Sequence, residues 1–241
     1  ATTAIYTLSL HDALPICPLG PLGDRFTLCA CLYGGMEGNE TYPTKANGPL
    51  RYADLHARFL DGLSRTCSPD RVALRLAMNA VGPETMAAVE QMRRRYDVRV
   101  YQPNENRMKY PRLREMFYDP IRPVDTEWVL VVDDDADFTH EDWIARLERH
   151  MAEGIRHSAR CFGERYSYFL RPGQIEWQSK RPWWRGRPMK RRGPLGVVEF
   201  CTGGWWAMRH ADLAALDWPD PALHHNGGDV ALGSAMYQRG W

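Results

Sequence analysis

The chain has 241 residues, 44% of them hydrophobic, which is enough for one large globular domain or two small ones. Its formal net charge of +1 excludes a nucleic-acid polycation and an acidic tail as descriptions of the whole chain. No apolar run approaches the roughly 20 residues that a helix needs to cross a bilayer.

The cysteines give information about the redox setting. Six of them, at positions 17, 29, 31, 67, 161 and 201, show no paired Cys-x-x-Cys spacing. Cys29 and Cys31 alternate with Ala30, so we expect both on one side of a sheet, buried as small hydrophobes. The pattern favours a reducing, cytoplasmic setting over a zinc site or a disulfide framework.

Strand and helix patterns alternate through the first two thirds of the chain. Apolar runs predict strands at 26–33, 72–78, 98–101 and 128–132, and helical spacings predict helices over 50–65, from Pro83 and over 109–118. A polar loop to Pro49 has a length typical of binding loops or disorder. Thr139 with Asp142 predicts a capping box that opens a further helix. This alternation predicts an α/β layered fold with a mostly parallel central sheet flanked by helices.

The later part of the chain carries less regular signals. It predicts strands at 166–170 and 197–201, and helices at 211–216 and from Asp229 to Tyr237. Between the two strands, residues 180–192 hold seven basic residues among prolines and tryptophans.

Three adjacent carboxylates follow the most apolar strand, at Asp133, Asp134 and Asp135. Open parallel sheets place their chemistry just beyond the carboxyl ends of such strands. Three neighbouring acids repel one another unless a cation neutralises them, and hard divalent ions bind carboxylate oxygens. The sequence therefore predicts a metal site here, with an acidic turn facing water as the alternative.

Two other acidic motifs do not fit this position. A calcium loop of the EF-hand type that began at Asp133 would need Gly at its sixth position and Glu at its twelfth, which hold Phe138 and Ile144. An aspartyl-phosphate phosphatase motif would need Thr where Asp137 stands.

The order of motifs resembles the family 2 glycosyltransferases of the GT-A fold, from about Thr27 to Tyr237. In that family the fourth strand ends in Asp-x-Asp, which residues 133–135 match, and a basic segment precedes it, as residues 109–114 do here. Residues 203–206 and 227–229 resemble the family's acceptor-side Gly-Gly strand and the start of its later acidic helix.

The same comparison shows departures from the family pattern. The first strand ends in Tyr33-Gly34 rather than Pro-x-Tyr-Asn, Asn79 replaces a common Asp, and Gly228 replaces a Glu. These departures leave the identity of the nucleotide open.

The resemblance implies a metal-dependent glycosyltransferase that moves a sugar from a nucleoside-diphosphate donor to a hydroxyl acceptor, with Mn²⁺ or Mg²⁺ as cofactor. The implied metal ligands are Asp135 and Asp133, with His225 as a further candidate. The implied contacts to the nucleotide sugar are Tyr33, Asn79, Lys109, Arg114, Asp133 and Asp134.

On the acceptor side, the resemblance implies Asp229 as general base and hence inversion of the anomeric carbon. An N-cap role for Asp229 is the alternative. The implied acceptor contacts are Gly203, Gly204, Trp205 and Trp206. Since neighbouring strand residues face opposite ways, we expect one of the two tryptophans to pack in the core. The acceptor would be a glycan, a lipid-linked molecule or a protein hydroxyl.

Residues 180–192 allow several hypotheses. We favour a flexible lid over the donor diphosphate, because the segment lies between the acidic motif and the acceptor motif. Binding to nucleic acid, to an anionic membrane surface or to an anionic glycan stays open, as does a solvated loop. Two rival functions follow: a sugar-nucleotide nucleotidyltransferase, for which Gly34-Gly35 begins a poor phosphate loop, and a non-catalytic nucleic-acid or glycan-binding module.

The ends of the chain carry expectations of their own. Residues 7–16 resemble one translated reading frame of a sequencing adapter, so we expect residues 1–16 to be non-native. Residues 17–241 would then form a single glycosyltransferase-like domain. The last residues, 237–241, stop without a breaker, which predicts that this domain is truncated at its C-terminus.

Overall fold

The structure is a computed structural model that describes residues 22–34, 41–42, 50–102, 108–224 and 226–241. The predictions for residues 1–16, for most of the loop before Pro49 and for His225 lie outside the described residues. For Gly203 the backbone alone is described.

A seven-stranded mixed sheet forms the centre of the fold. The strands of the chain are β1 (Phe26–Tyr33), β2 (Thr41–Tyr42), β3 (Leu50–Arg51), β4 (Val72–Asn79), β5 (Asp97–Tyr101), β6 (Trp128–Asp133), β7 (Cys161–Leu170), β8 (Lys190–Arg192) and β9 (Leu195–Arg209). The order across the sheet is β5-β4-β1-β6-β9-β7, with β8 also paired to β9, while β2 and β3 pair separately. The four strands β5, β4, β1 and β6 are parallel, and β9 runs antiparallel to its neighbours.

Helices cover both faces of this sheet. They are α1 (Tyr52–Thr66), α2 (Pro83–Arg93), α3 (Lys109–Phe117), α4 (Trp143–Arg156), α5 (Pro172–Ser179), α6 (His210–Leu216) and α7 (Gly228–Arg239). Core residues of α1, α2 and α4 pack on one face, and those of α3, α6 and α7 pack on the other. The predicted layered α/β fold is confirmed.

Successive side chains of the central strands point alternately into the two cores. In β6, Leu130 and Val132 join the first core, whereas Val129 and Val131 join the second. A strand buried on both faces has no polar side, which is why the sequence shows it as a continuous apolar run. Each fully buried aliphatic side chain of this kind stabilises the fold by about 1.5–3 kcal/mol.

Several predicted boundaries differ from the structure. The helix predicted from Thr139 begins at Trp143 instead, and the capping box is wrong, because the Asp142 carboxylate accepts from Arg146 Nε at 2.9 Å and caps no backbone group. Helix α5 was not predicted. Strand β7 begins at Cys161, five residues before the predicted start, and β9 is one continuous strand from 195 to 209.

No helix in the described part of the chain is both long enough and apolar enough to cross a lipid bilayer.

Candidate active site

The carboxyl ends of three parallel strands meet at one edge of the sheet. Tyr33 at the end of β1 lies opposite Asn79 at the end of β4, and Cys31 lies opposite Asp133 at the end of β6. The Gly34 amide donates to the Asn79 carbonyl at 2.9 Å. A Cβ on Gly34 would lie 2.0 Å from the Ala80 carbonyl oxygen, so only glycine permits this close approach of the two strand ends.

Asp134, the middle acid, is turned toward β1 and α1. Its Oδ2 accepts from the Tyr33 amide at 2.9 Å and from His56 Nε2 at 3.1 Å. The other ring nitrogen of His56 lies 2.9 Å from Thr85 Oγ1. His56 is absent from the residues predicted from the sequence, although a polar residue within the apolar stripe of α1, between Tyr52 and Phe59, was a usable signal.

Asp133, the first acid, is paired with Lys109 at the start of α3. The Lys109 ammonium donates to Asp133 Oδ1, and the two side chains are 17% and 34% exposed. Lys109 also lies close enough to Asp229 for its charge to act on that carboxylate. Asp135, the third acid, is exposed at the mouth of the same edge.

Tyr110, the next residue of α3, contacts Asp229. Its hydroxyl donates to Asp229 Oδ1 at 3.2 Å, and its amide donates to the His224 carbonyl at 3.1 Å. A Cβ on Gly228 would lie 2.0 Å from Tyr110 Cζ, so the tyrosine ring occupies the space that any larger side chain at 228 would need. This packing leaves no room for a glutamate at position 228. The N-cap of α7 is Gly227, and Asp229 is therefore not the cap.

Burial and charge shift the pKa values of this cluster. Burial raises the pKa of Asp133, and although the Lys109 charge opposes this, the neighbouring Asp135 and Asp134 reinforce it. Burial also raises the pKa of Asp229, while Lys109 and the Tyr110 hydroxyl partly offset the rise. For Lys109, burial acts to lower the pKa, but the charges of Asp133 and Asp229 outweigh it and the net direction is upward. The site thus keeps a half-buried ammonium whose charge acts on two carboxylates.

The oxygen ligands at the end of β6 fit a hard divalent cation. The described residues contain no group of three or more His, Cys, Asp or Glu side chains arranged to hold a metal ion. Mg²⁺ and similar ions at phosphate sites commonly use one or two carboxylates and complete their shell with phosphate oxygens and water. Asp133 and Asp135 can supply such a pair. A cation there would favour the charged form of Asp133, whose pKa is raised by burial first and by the neighbouring Asp135 and Asp134 in addition.

Two of the predicted site residues are not part of this cluster. Trp206 is fully buried with its ring 5.4 Å from that of Trp218, so its predicted contact with an acceptor is wrong. Trp205 faces the opposite core and is half-buried, which confirms that the pair divides between two faces, and Gly204 is exposed. Within the described part of the chain, the polar contacts of Arg114 are with Asp217 and Pro219, and its contact with the diphosphate stays a prediction.

The basic segment 180–192 is anchored to the body of the protein. Trp183 is buried and donates from Nε1 to Asp220 Oδ2 at 3.1 Å. The amides of Arg185 and Arg187 both donate to Gln238 Oε1, at 3.1 and 2.9 Å. Gln238 is nine residues along α7 from Asp229, about 14 Å at 1.5 Å per residue. These contacts contradict the prediction of a flexible lid over the donor.

The fold is similar to those of several solved structures, although comparisons by sequence found no match. No family model matches the chain, and no curated protein matches it. A crystal structure of S. aureus TarS residues 1–349 is similar with a TM-score of 0.50 at 13% identity, over 88% of this chain and 55% of that one. The mannosyltransferase PcManGT from Pyrobaculum calidifontis, in complex with GDP-Man and Mn²⁺, gives a TM-score of 0.48 at 16% identity, over 92% and 54%.

A third structure, TarS 1–349 in complex with UDP-GlcNAc, gives a TM-score of 0.37 at 17% identity, over 53% of this chain and 32% of that one. The chain therefore spans about half the length, or less, of the solved structures that it resembles. The likeness to the TarS crystal structure shows a shared fold, and the fold of this chain is α/β of the GT-A type.

Proposed function

We propose that this protein is a glycosyltransferase that transfers a sugar from a nucleoside-diphosphate donor to a hydroxyl acceptor. The observation that carries the proposal is the pairing made by two successive residues of α3: Lys109 binds Asp133, and Tyr110 binds Asp229. Two acids that lie almost a hundred residues apart in the sequence are thereby both joined to the start of α3. A donor-binding group and a general base must be placed on either side of a reacting carbon.

On the donor side, Asp133 and Asp135 would hold Mn²⁺ or Mg²⁺ together with the donor diphosphate. A bound divalent ion supplies positive charge to the leaving nucleoside diphosphate. Lys109 would add a further positive charge beside the diphosphate. The ring of Tyr33 and the side chain of Asn79, at neighbouring strand ends, are the candidate contacts for the nucleotide.

On the acceptor side, Asp229 is the proposed general base. Its carboxylate takes the proton of the acceptor hydroxyl while that oxygen forms a bond to the anomeric carbon. The bond from the anomeric carbon to the diphosphate oxygen breaks with its electron pair, and the nucleoside diphosphate leaves. Attack from the face opposite the leaving group inverts the anomeric configuration. Burial raises the pKa of Asp229, which strengthens it as a base. Tyr110 holds the carboxylate in place.

The cysteines support placing this reaction in a reducing, cytoplasmic setting. Five cysteines in the described ranges are free thiols, and Cys29 is fully buried in the second core. Burial raises the pKa of the Cys31 thiol to about 12, so this group remains a neutral side chain behind the acids.

Binding of nucleotide sugars tests the proposal. A panel of uridine and guanosine diphosphate sugars is titrated against the protein by calorimetry, with and without Mn²⁺, and the titrations are repeated for Asp135→Ala. We expect binding by the native protein that depends on Mn²⁺, and loss of that dependence in the variant. Retained binding and turnover in Asp135→Ala would remove Asp135 from the site, and absence of donor binding to the native protein would refute the function.

A further inference from the structure

A fully buried histidine lies behind the acidic end of β6, and no step of the proposed reaction uses it. His56 has no exposed surface and joins three elements, because its ring reaches Asp134 after β6 and Thr85 in α2 from its own place in α1. We infer that His56 is a positioning residue: together with Thr85 it fixes Asp134 against β1, so that Asp133 and Asp135 are the acids that meet the donor. This inference rests on the proposed function.

The direction of each hydrogen bond follows from the chemistry of the partners. A carboxylate only accepts, so His56 Nε2 carries the proton and donates to Asp134 Oδ2 at 3.1 Å. In the neutral ring Nδ1 is then the acceptor, and the Thr85 hydroxyl donates to it at 2.9 Å. Thr85 is itself buried, so neither bond is shared with bulk water. Because both nitrogens are hydrogen-bonded, only one orientation of the ring makes both bonds.

Two donors converge on one oxygen of Asp134. The Tyr33 amide at 2.9 Å and the His56 ring both bind Oδ2, and the Asp134 side chain is only 17% exposed. If the histidine were absent, the carboxylate would keep only the amide and could rotate toward the mouth of the site. A third negative charge there would repel the donor diphosphate.

The same contacts also position Tyr33. Its amide is one of the two donors to Asp134, and its ring packs edge-on against Tyr52, with centroids 5.5 Å apart. Tyr52 lies one helical turn before His56 on α1. The bond between His56 and Asp134 therefore fixes α1 to the end of β6. It thereby also fixes Tyr52 of α1, against which the candidate nucleotide contact Tyr33 packs. The predicted contact of Asp134 with the nucleotide sugar is replaced by this role.

A matched pair of substitutions separates positioning from simple packing. His56→Gln places an amide N–H near the position of Nε2 and keeps the bond to Asp134, whereas His56→Asn reaches only the position of Nδ1 and keeps the link to Thr85. We expect the Gln variant to bind UDP or GDP with Mn²⁺ within about threefold of the native protein. The Asn variant should bind about tenfold more weakly, as expected for the loss of a hydrogen bond to a charged group.

The kinetic effect should fall on KM for the donor, with kcat changed by no more than about threefold, because His56 touches no reacting atom. Native affinity in His56→Asn, or equal weakening in both variants, would overturn the inference. If His56→Asn does not fold, His56→Leu takes its place, since it fills the same buried space without a donor for Asp134 and should also weaken nucleotide binding. Native affinity in His56→Leu would then count against the inference.

A double-mutant cycle separates failure of this inference from failure of the proposed function. The effects of His56→Asn, Asp134→Ala and the double variant on thermal unfolding should be non-additive, because both single changes remove the same hydrogen bond. Additive effects on thermal unfolding would refute the contact between His56 and Asp134, whatever ligand the protein binds. If the cycle is non-additive but the native protein binds no nucleotide, the proposed function fails, and with it the functional role of the contact.

Discussion

Lys109 offers the sharpest test of how charge is arranged in the site. Lys109→Met keeps the length of the side chain but removes its charge, leaving Asp133 and Asp229 without the ammonium that acts on both. Two unit charges about 4 Å apart interact by roughly 4 kcal/mol at an effective dielectric constant of 20. Since Asp133 is 34% exposed, solvent screening reduces this, and we expect a stability loss of about 2 kcal/mol. For a chain of this length that corresponds to a fall in Tm of about 4–8 °C.

The same change should alter the pH dependence of turnover. A base must be deprotonated to act, so activity is lost as pH falls through the pKa of Asp229 in the folded protein. The Lys109 charge lowers that pKa, and its removal should therefore move the acid limb of kcat to higher pH. The assay is the release of nucleoside diphosphate from the donor in the presence of acceptor, measured as initial rates across pH.

Lys180→Met is the matched control. Lys180 pairs with Glu176 on the surface, where the two side chains are 63% and 69% exposed, and such a pair contributes less than about 1 kcal/mol. It should change neither Tm nor the pH profile. An acid limb in Lys109→Met that stays in place or moves to lower pH would refute the proposed coupling between Lys109 and Asp229.

Three further substitutions test other contacts. Tyr110→Phe removes the hydroxyl that donates to Asp229, so initial rates should fall about three- to tenfold and the acid limb of kcat should move to higher pH. Gly228→Ala would place a Cβ 2.0 Å from the Tyr110 ring and should cost roughly 1–3 kcal/mol of unfolding free energy in urea. Burial acts to raise the pKa of Asp119, but the Ile121 and Arg122 amides help to hold it at about 2, so Asp119→Asn should cost about 2 kcal/mol at pH 7.

The sign of the Asp119 effect gives a further check. A carboxylate with a lowered pKa stabilises the folded state above its unfolded pKa, near 3.8, and the stabilisation is lost as pH falls through about 2. The difference in unfolding free energy between native protein and Asp119→Asn should therefore disappear as the pH falls over that range. A difference in unfolding free energy that persists at low pH would contradict the assignment. Gly173→Ala serves as control for Gly228→Ala, because nothing lies within 4 Å of its added Cβ. Equal losses in the two glycine variants would mean that contact with Tyr110 is not the cause.

The sheet was predictable because its central strands are buried on both faces. The residues of β1 and β6 form continuous apolar runs, and the prediction for β1 matches its observed bounds, Phe26–Tyr33. Strand β7 was predicted only in part. Its residues 166–170 were predicted, but its first five residues were not, because Gly163, Glu164 and Arg165 interrupt any apolar run there. Helix α5 begins at Pro172-Gly173, a pair that is typical of turns in isolation.

The candidate site was predictable where a motif carried it and not where tertiary contacts did. Asp133 to Asp135 stand out because three acids follow an apolar strand. The bond between Tyr110 and Asp229 joins residues 119 apart in the sequence and has no local signature. Arginine is a residue type that commonly binds diphosphates, yet the guanidinium of Arg114 binds Asp217 in the turn after α6. The contacts of such a side chain depend on which loop the fold places beside it, and the sequence alone does not show this.

The most direct test of the central claim is to locate Mn²⁺ by anomalous diffraction in crystals grown with the ion and a nucleoside diphosphate. We predict one strong peak at the carboxylates of Asp133 and Asp135, with the diphosphate beside Lys109 and the Asp229 carboxylate facing it across open space. A nucleotide bound at the basic residues 180–192, with no manganese at the end of β6, would contradict the account.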